Sequence, residues 1–176
     1  MASKIKVDQL ETADGTGTIA LQNQLSGMTT ASLPTGSVLQ VVQTSNDTST
    51  TISTTGSWVA AGLELSITPS STSNKILIQV CGSQYADVND QTAAATVFRD
   101  STNLGQSDYG LAPYYLNLGG TSGTDAQVPT NITYLDSPSS TSSVTYSVKA
   151  KTDKNTYRWN GLRNAKQVMI LTEIKG

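Results

Sequence analysis

At 176 residues the chain is long enough for one domain with a well-buried core and crowded for two. Only 14% of its residues are charged, the net charge is −2, and Ser and Thr together make up roughly a quarter of it. That composition excludes a basic nucleic-acid binder, a protein held by charge to an anionic membrane, and a charge-rich disordered tail.

The first element is a leader, residues 1–36. Lys4-Ile5-Lys6-Val7-Asp8-Gln9-Leu10 alternates polar and apolar residues as a strand does, and so does Thr16-Gly17-Thr18-Ile19-Ala20-Leu21 after the Asp14-Gly15 turn signal. Its apolar positions are too sparse to bury a core, and two isolated strands do not stand alone. The leader is therefore expected to be an extended arm with short strands that borrows a partner's surface. Ile5, Val7, Leu10, Ile19 and Leu21 are the candidate attachment residues. Pro34-Thr35-Gly36 punctuates the change to dense apolar patterning, so the body is expected at 37–176 and separable from the arm.

Along the body, segments rich in β-branched residues recur between Ser, Thr, Asn, Gly and Pro clusters. Strands are predicted near Ser37–Thr44, Ser57–Ala60, Leu63–Thr68, Lys75–Tyr85, Ala93–Asp100, Tyr114–Leu118, Asn131–Leu135, Ser143–Lys151, Thr156–Asn160 and Gln167–Ile174. No long window has helical periodicity. Trp58 is expected in the core at one end, and Cys81, within an apolar run, as a small buried core residue that can form no intrachain disulfide. Thr68-Pro69 ends one strand and the run to Asn74 makes a wet turn. Arg99-Asp100-Ser101-Thr102-Asn103-Leu104-Gly105 reads as a strand end and polar turn with a glycine free to take positive φ. An Arg99–Asp100 ion pair at a subunit interface is the alternative there. Val144, Tyr146, Val148 and Ala150 share one strand face, while Thr145, Ser147, Lys149 and Lys151 share the other. Trp159 reads as core, with Arg158 able to stack on a ring. Val168-Met169-Ile170-Leu171 is continuously apolar, as a central strand covered on both sides would be. So many strands need two packed sheets, and the fold class is all-β: a jelly-roll-like antiparallel β-sandwich preceded by the arm.

Catalysis finds little support. There is no histidine, which removes Ser-His-Asp and Cys-His arrangements together with the commonest metal ligand. A glycosidase needs only two carboxylates, but the acids are spread thinly through turns. Asp87-Val88-Asn89-Asp90 has calcium-type oxygens without the glycine and distal glutamate of an EF-hand, and reads better as a solvated loop. The sequons Asn46-Asp47-Thr48 and Asn131-Ile132-Thr133 arise readily in so Thr-rich a chain. Gly15-Thr16-Gly17 is not a dinucleotide fingerprint, and no phosphate loop is present. No cofactor, no metal and no catalytic residue is expected. With no stretch of eighteen apolar residues and no secretory pattern, the chain is expected to be soluble and made in the cytoplasm, without membrane insertion.

Two groups of residues carry a resemblance. The opening, Ser3-Lys4-Ile5-Lys6-Val7-Asp8-Gln9-Leu10-Glu11-Thr12 with Asp14-Gly15-Thr16-Gly17, resembles an N-terminal module of fibre and appendage proteins of tailed bacteriophages, notably those of cyanobacteria and other aquatic bacteria. In the body, Gly36-Ser37-Val38-Leu39-Gln40-Val41-Val42, Thr68-Pro69-Ser70-Ser71-Thr72-Ser73-Asn74-Lys75-Ile76-Leu77, Arg99-Asp100-Ser101-Thr102, Tyr134-Leu135-Asp136-Ser137-Pro138 and Leu171-Thr172-Glu173-Ile174 are similar, in that order, to the associated β-domain. The resemblance implies a trimeric structural protein of the virion, in a tail or head appendage, docked through its arm on other virion proteins.

Aromatic residues are few, and Tyr109, Tyr114 and Tyr115 gather around Gly110 and Pro113 beside a Gly/Thr-rich stretch. A rigid aromatic loop on a stiff sandwich is a candidate receptor or glycan contact, the alternative being packing between subunits or under a loop. Two function classes follow: a non-enzymatic structural fibre or appendage that can also touch the host surface, and a carbohydrate- or receptor-binding module acting mainly through the aromatic loop.

Overall fold

Alternation along the chain fixes the strands, and strand order then fixes the architecture. The computed structural model describes residues 32–86, 90–117, 126–154, 157–161 and 165–176. Pro34–Gly176 is a compact unit of its own, the body. Its strands are β1 (Val38–Asn46), β2 (Thr50–Ile52), β3 (Val59–Ile67), β4 (Lys75–Ala86), β5 (Gln91–Arg99), β6 (Thr102–Asn103), β7 (Ala112–Leu116), β8 (Ala126–Asp136), β9 (Val144–Thr152), β10 (Tyr157–Trp159) and β11 (Gln167–Ile174). Among the described residues there is no α-helix.

The long strands form two antiparallel sheets, β1-β11-β4-β8 and β3-β9-β5-β7. Short β10 and β2 extend the first beyond the end of β11, and β6 extends the second. The body is thus a jelly-roll-like β-sandwich, eight long strands split four and four. Ile76, Ile78, Val80, Met169 and Leu171 from one sheet meet Leu63, Ile67, Val97, Tyr146 and Val148 from the other in one core.

Several expectations are corrected. Cys81 is exposed rather than buried, because Ile76, Ile78 and Val80 take the inner positions of β4 and period-two alternation turns residue 81 outward. Strand β11 is central in its sheet, but only one face packs on the core; Val168 and Ile170 face outward and are half-buried. The predicted strands Ser57–Ala60 and Leu63–Thr68 are one strand, β3, interrupted by a bulge at Gly62, whose φ is +78°. Asn46 Nδ2 donates to the Gly62 carbonyl at 2.7 Å and Thr50 Oγ1 to that of Ala61 at 3.1 Å, which pins the bulge. Asn46 of the first sequon is thereby structural. In the turn after β5 it is Asp100 that takes positive φ, +51°. Trp159 is fully buried as expected, and Gly82 makes room for it: a Cβ there would lie 2.5 Å from the indole ring.

The five body strings of the resemblance converge on two polar networks at the sandwich edge. In the first, the Glu173 carboxylate accepts from Gln40 Nε2 (2.7 Å), the Ser70 amide (2.6 Å), Ser70 Oγ (2.9 Å) and Asn74 Nδ2 (2.6 Å). In the second, Arg99 Nη1 donates to both oxygens of Asp136 (2.9 and 2.8 Å), and the Tyr146 hydroxyl donates to the same carboxylate at 2.7 Å. Arg99 therefore pairs within the chain, with Asp136 and not Asp100, which instead accepts the Thr145 amide. The strings mark where the fold locks its strand ends together.

Glu173 carries a pH prediction. Burial alone raises the pKa of its carboxyl, but the hydrogen bonds from Asn74, Ser70 and Gln40 outweigh burial and hold it below the ordinary 4.5. A folded-state pKa below the unfolded one contributes stability above the unfolded value and loses it as pH falls through the folded one. Thermal unfolding followed from about pH 6 downward should show stability falling below about pH 4.5, with a smaller fall in Glu173→Gln. Equal acid slopes in the two proteins would remove Glu173 as the cause.

Candidate functional site

The segment between β6 and β7 folds over the outer face of β5 because its own side chains shape it. Asn103 Oδ1 accepts from Thr96 Oγ1 and from the Gly105 amide, both at 2.9 Å, and Gln106 Oε1 accepts the amides of Asp108 (2.7 Å) and Tyr109 (2.6 Å). Backbone bonds from Leu104 to Val97 and from Leu111 to Ala95 dock it on the sheet. Gly105 and Gly110 sit back to back: a Cβ on Gly105 would stand 2.5 Å from the Gly110 carbonyl carbon. Gly110 itself takes φ +61°.

Trp58 anchors this cover from outside the core. Its indole donates to the Ser107 carbonyl at 3.0 Å and meets Phe98 edge-on at 6.2 Å, with the Lys151 ammonium 5.1 Å from its ring centre. Lys149 lies 4.0 Å over Phe98. The expectation of Trp58 as a core residue is corrected: it is half-buried on the outer surface of the β3-β9-β5-β7 sheet. Arg158 does stack, 5.7 Å from the Tyr85 ring centre.

Between this cover and β9 runs an open cleft of about 270 Å³, lined among others by Tyr109, Thr92, Asp108, Lys151 and Asp153. Tyr109 is 55% exposed, and Asp108 lies 3.7 Å from the Lys151 ammonium. Tyr115 projects from β7 on the same outer face, opposite Thr92, and its hydroxyl donates to Asp90. That hydrogen bond, and then Lys154 3.6 Å away, lower the Asp90 pKa. Tyr114 points the other way, against the core, where burial raises its pKa. Of the three tyrosines, two share a face and one does not, since adjacent strand residues alternate. An exposed ring beside carboxylates, a hydroxyl and an ammonium can hold a polar ring such as a sugar through stacking and hydrogen bonds. Asp108 carries no joint signal with Lys151 and Asp153 in the sequence, because it lies far from that pair in the chain; only the Asp108-Tyr109 adjacency hints at the cleft.

The buried acids of the described body, Asp136 and Glu173, spend their oxygens on internal donors. Among the described residues no three His, Cys, Asp or Glu side chains gather as metal ligands, and no helix is long and apolar enough to cross a membrane. The arm candidates Ile5, Val7, Leu10, Ile19 and Leu21 lie outside the described residues, as do positions 87–89 of the acidic loop.

No protein-family model matches the chain, and no curated protein does. Among solved structures, the chain is similar to the crystal structure of the infectious bursal disease virus VP2 subviral particle, with a TM-score of 0.38 and 13% identity over 80% of this chain and 34% of that one. A crystal structure of the particle of the same virus gives a TM-score of 0.36 and 11% identity over 79% and 36%. The chain spans about a third of the length of those proteins. The jelly-roll assignment rests on the strand order of this chain itself.

Proposed function

We propose that the protein is a non-enzymatic structural component of a bacteriophage particle: a homotrimeric fibre or appendage, on tail or head, mounted by residues 1–36 and projecting the jelly-roll body. The observation that carries this reading is an alternating, core-less leader followed at Pro34 by a compact β-body, in the order seen in the phage proteins it resembles. Jelly rolls occur in viral capsid and lectin domains alike, so the fold is compatible with the reading without requiring it. The low charge of the body favours a trimer, because faces with few ions can be buried together without stranding a charge.

A second reading is favoured by the cleft at Tyr109: the body also contacts a host-surface glycan or receptor, with Tyr109 and Tyr115 as its aromatic contacts. The deciding experiment is electron microscopy of particles whose copy of the gene lacks codons 37–176. One appendage should vanish from otherwise intact particles. Particles of unchanged outline would overturn the structural reading.

A further inference from the structure

The two outer faces of the sandwich differ in kind. On the β3-β9-β5-β7 sheet Glu64, Lys149 and Lys151 face outward, Trp58 and Lys149 cover Phe98, and the 103–111 segment lies over Thr96. On the β1-β11-β4-β8 sheet the register sets Val41, Thr172, Leu77 and Leu135 side by side across all four strands. The next outward row is Gln43, Ile170, Gln79 and Thr133, and the row after it Ser45, Val168, Cys81 and Asn131. None of these rows holds a charged side chain; Lys75 and Arg158 stand at the two ends of β4's outer face. Val41 is 57% exposed, Leu135 48%, and Val38 on the same face 58%. Beside the aliphatic row the face sinks into a trough of about 320 Å³, walled by Gln79, Cys81, Asn131, Thr133, Val168 and Ile170.

We infer that this neutral outer face of β1-β11-β4-β8 is the contact between copies of the chain, the aliphatic row of Val41, Leu77 and Leu135 on one copy seating in the trough of the next. The inference rests on the trimer proposed above and names the surface that builds it. A second copy is the occupant that matches the chemistry. Aliphatic, amide and hydroxyl groups meet their like without repulsion, whereas a charged partner would be desolvated against a surface with no counter-ion to offer. A closed ring also needs one patch to meet a different patch on the neighbour, and a ridge beside a trough supplies both. The opposite face is charged: Glu64, Lys149 and Lys151 face outward there and its cleft is lined by Asp108, Lys151 and Asp153, so burying it against a copy of itself would strand ions.

The test uses the full-length chain. Its mass in solution is measured for the parent, for Val41→Lys with Leu135→Lys, and for Ser66→Lys with Ser147→Lys on the opposite outer face. The parent and the second pair should run at about three times 18.5 kDa, and the first pair at 18.5 kDa with an unchanged far-ultraviolet circular dichroism spectrum. An 18.5 kDa parent would overturn the trimer itself. A first pair that remains trimeric would overturn this face and leave the trimer standing. Reaction of Cys81 with a maleimide gives a reading that needs no variant: in the folded parent it should be several-fold slower than in the urea-unfolded chain. Equal rates would also overturn the face.

Discussion

Replacing Asp136 by alanine is expected to destabilise the body by about 3 kcal/mol, the low end of the range for breaking a buried ion pair from one side. The low end applies because the Arg99 side chain keeps 24% of its exposure while that of Asp136 keeps 7%. The loss has two parts. Arg99 forfeits both short hydrogen bonds to the carboxylate, and the fully buried Tyr146 hydroxyl loses its acceptor. Burial, with the Asp136 carboxylate beside it, holds the pKa of Tyr146 well above its usual value, so the phenol stays a donor through the alkaline range. Tyr146→Phe removes only that one bond and should cost about 1 kcal/mol. Urea unfolding of the three proteins checks the order. An Asp136→Ala body within about 0.5 kcal/mol of the parent would mean that the network does not hold the strand ends together.

Changing Ile5, Val7 and Leu10 together to Ser is expected to leave the thermal transition of the body in place and to stop its incorporation into particles. Each aliphatic side chain buried on a partner contributes about 1.5 to 3 kcal/mol, and several per arm over three arms exceed the cost of ordering the arm. Unpaired strand edges would add main-chain hydrogen bonds to the partner. Removing three of the five candidate residues leaves each arm with Ile19 and Leu21 alone. Quantifying the protein on purified particles decides the matter: normal occupancy by the triple variant would show that the arm is not the anchor.

Much of the body is legible in the sequence because its signal is local. Alternation in Val144–Ala150 names the inner face of β9 correctly, and the Thr68-Pro69 stop and the start at Lys75 place β4. Strands β2 and β6, three and two residues long, escape because no period can be read over so few positions in a Thr- and Ser-rich stretch. Trp58 is misplaced by the sequence for a related reason: an aromatic residue next to a strand can cover either face, and only the docking of residues 103–111 selects the outer one.

The all-β class, most strand positions and the inner face of β9 can be read from the chain before it folds, since these follow from periodicity within single strands. Contacts that depend on register between strands emerge only on packing. Register sets Arg99 and Asp136, thirty-seven residues apart, at bonding distance, and gathers Gln40, Ser70 and Asn74 around Glu173. It also aligns Val41, Thr172, Leu77 and Leu135 into one row across four strands, with Val41 and Leu135 exposed. Alternation gives each strand two faces, but which of them meets water, the core or another chain is chosen only when the sheets pack.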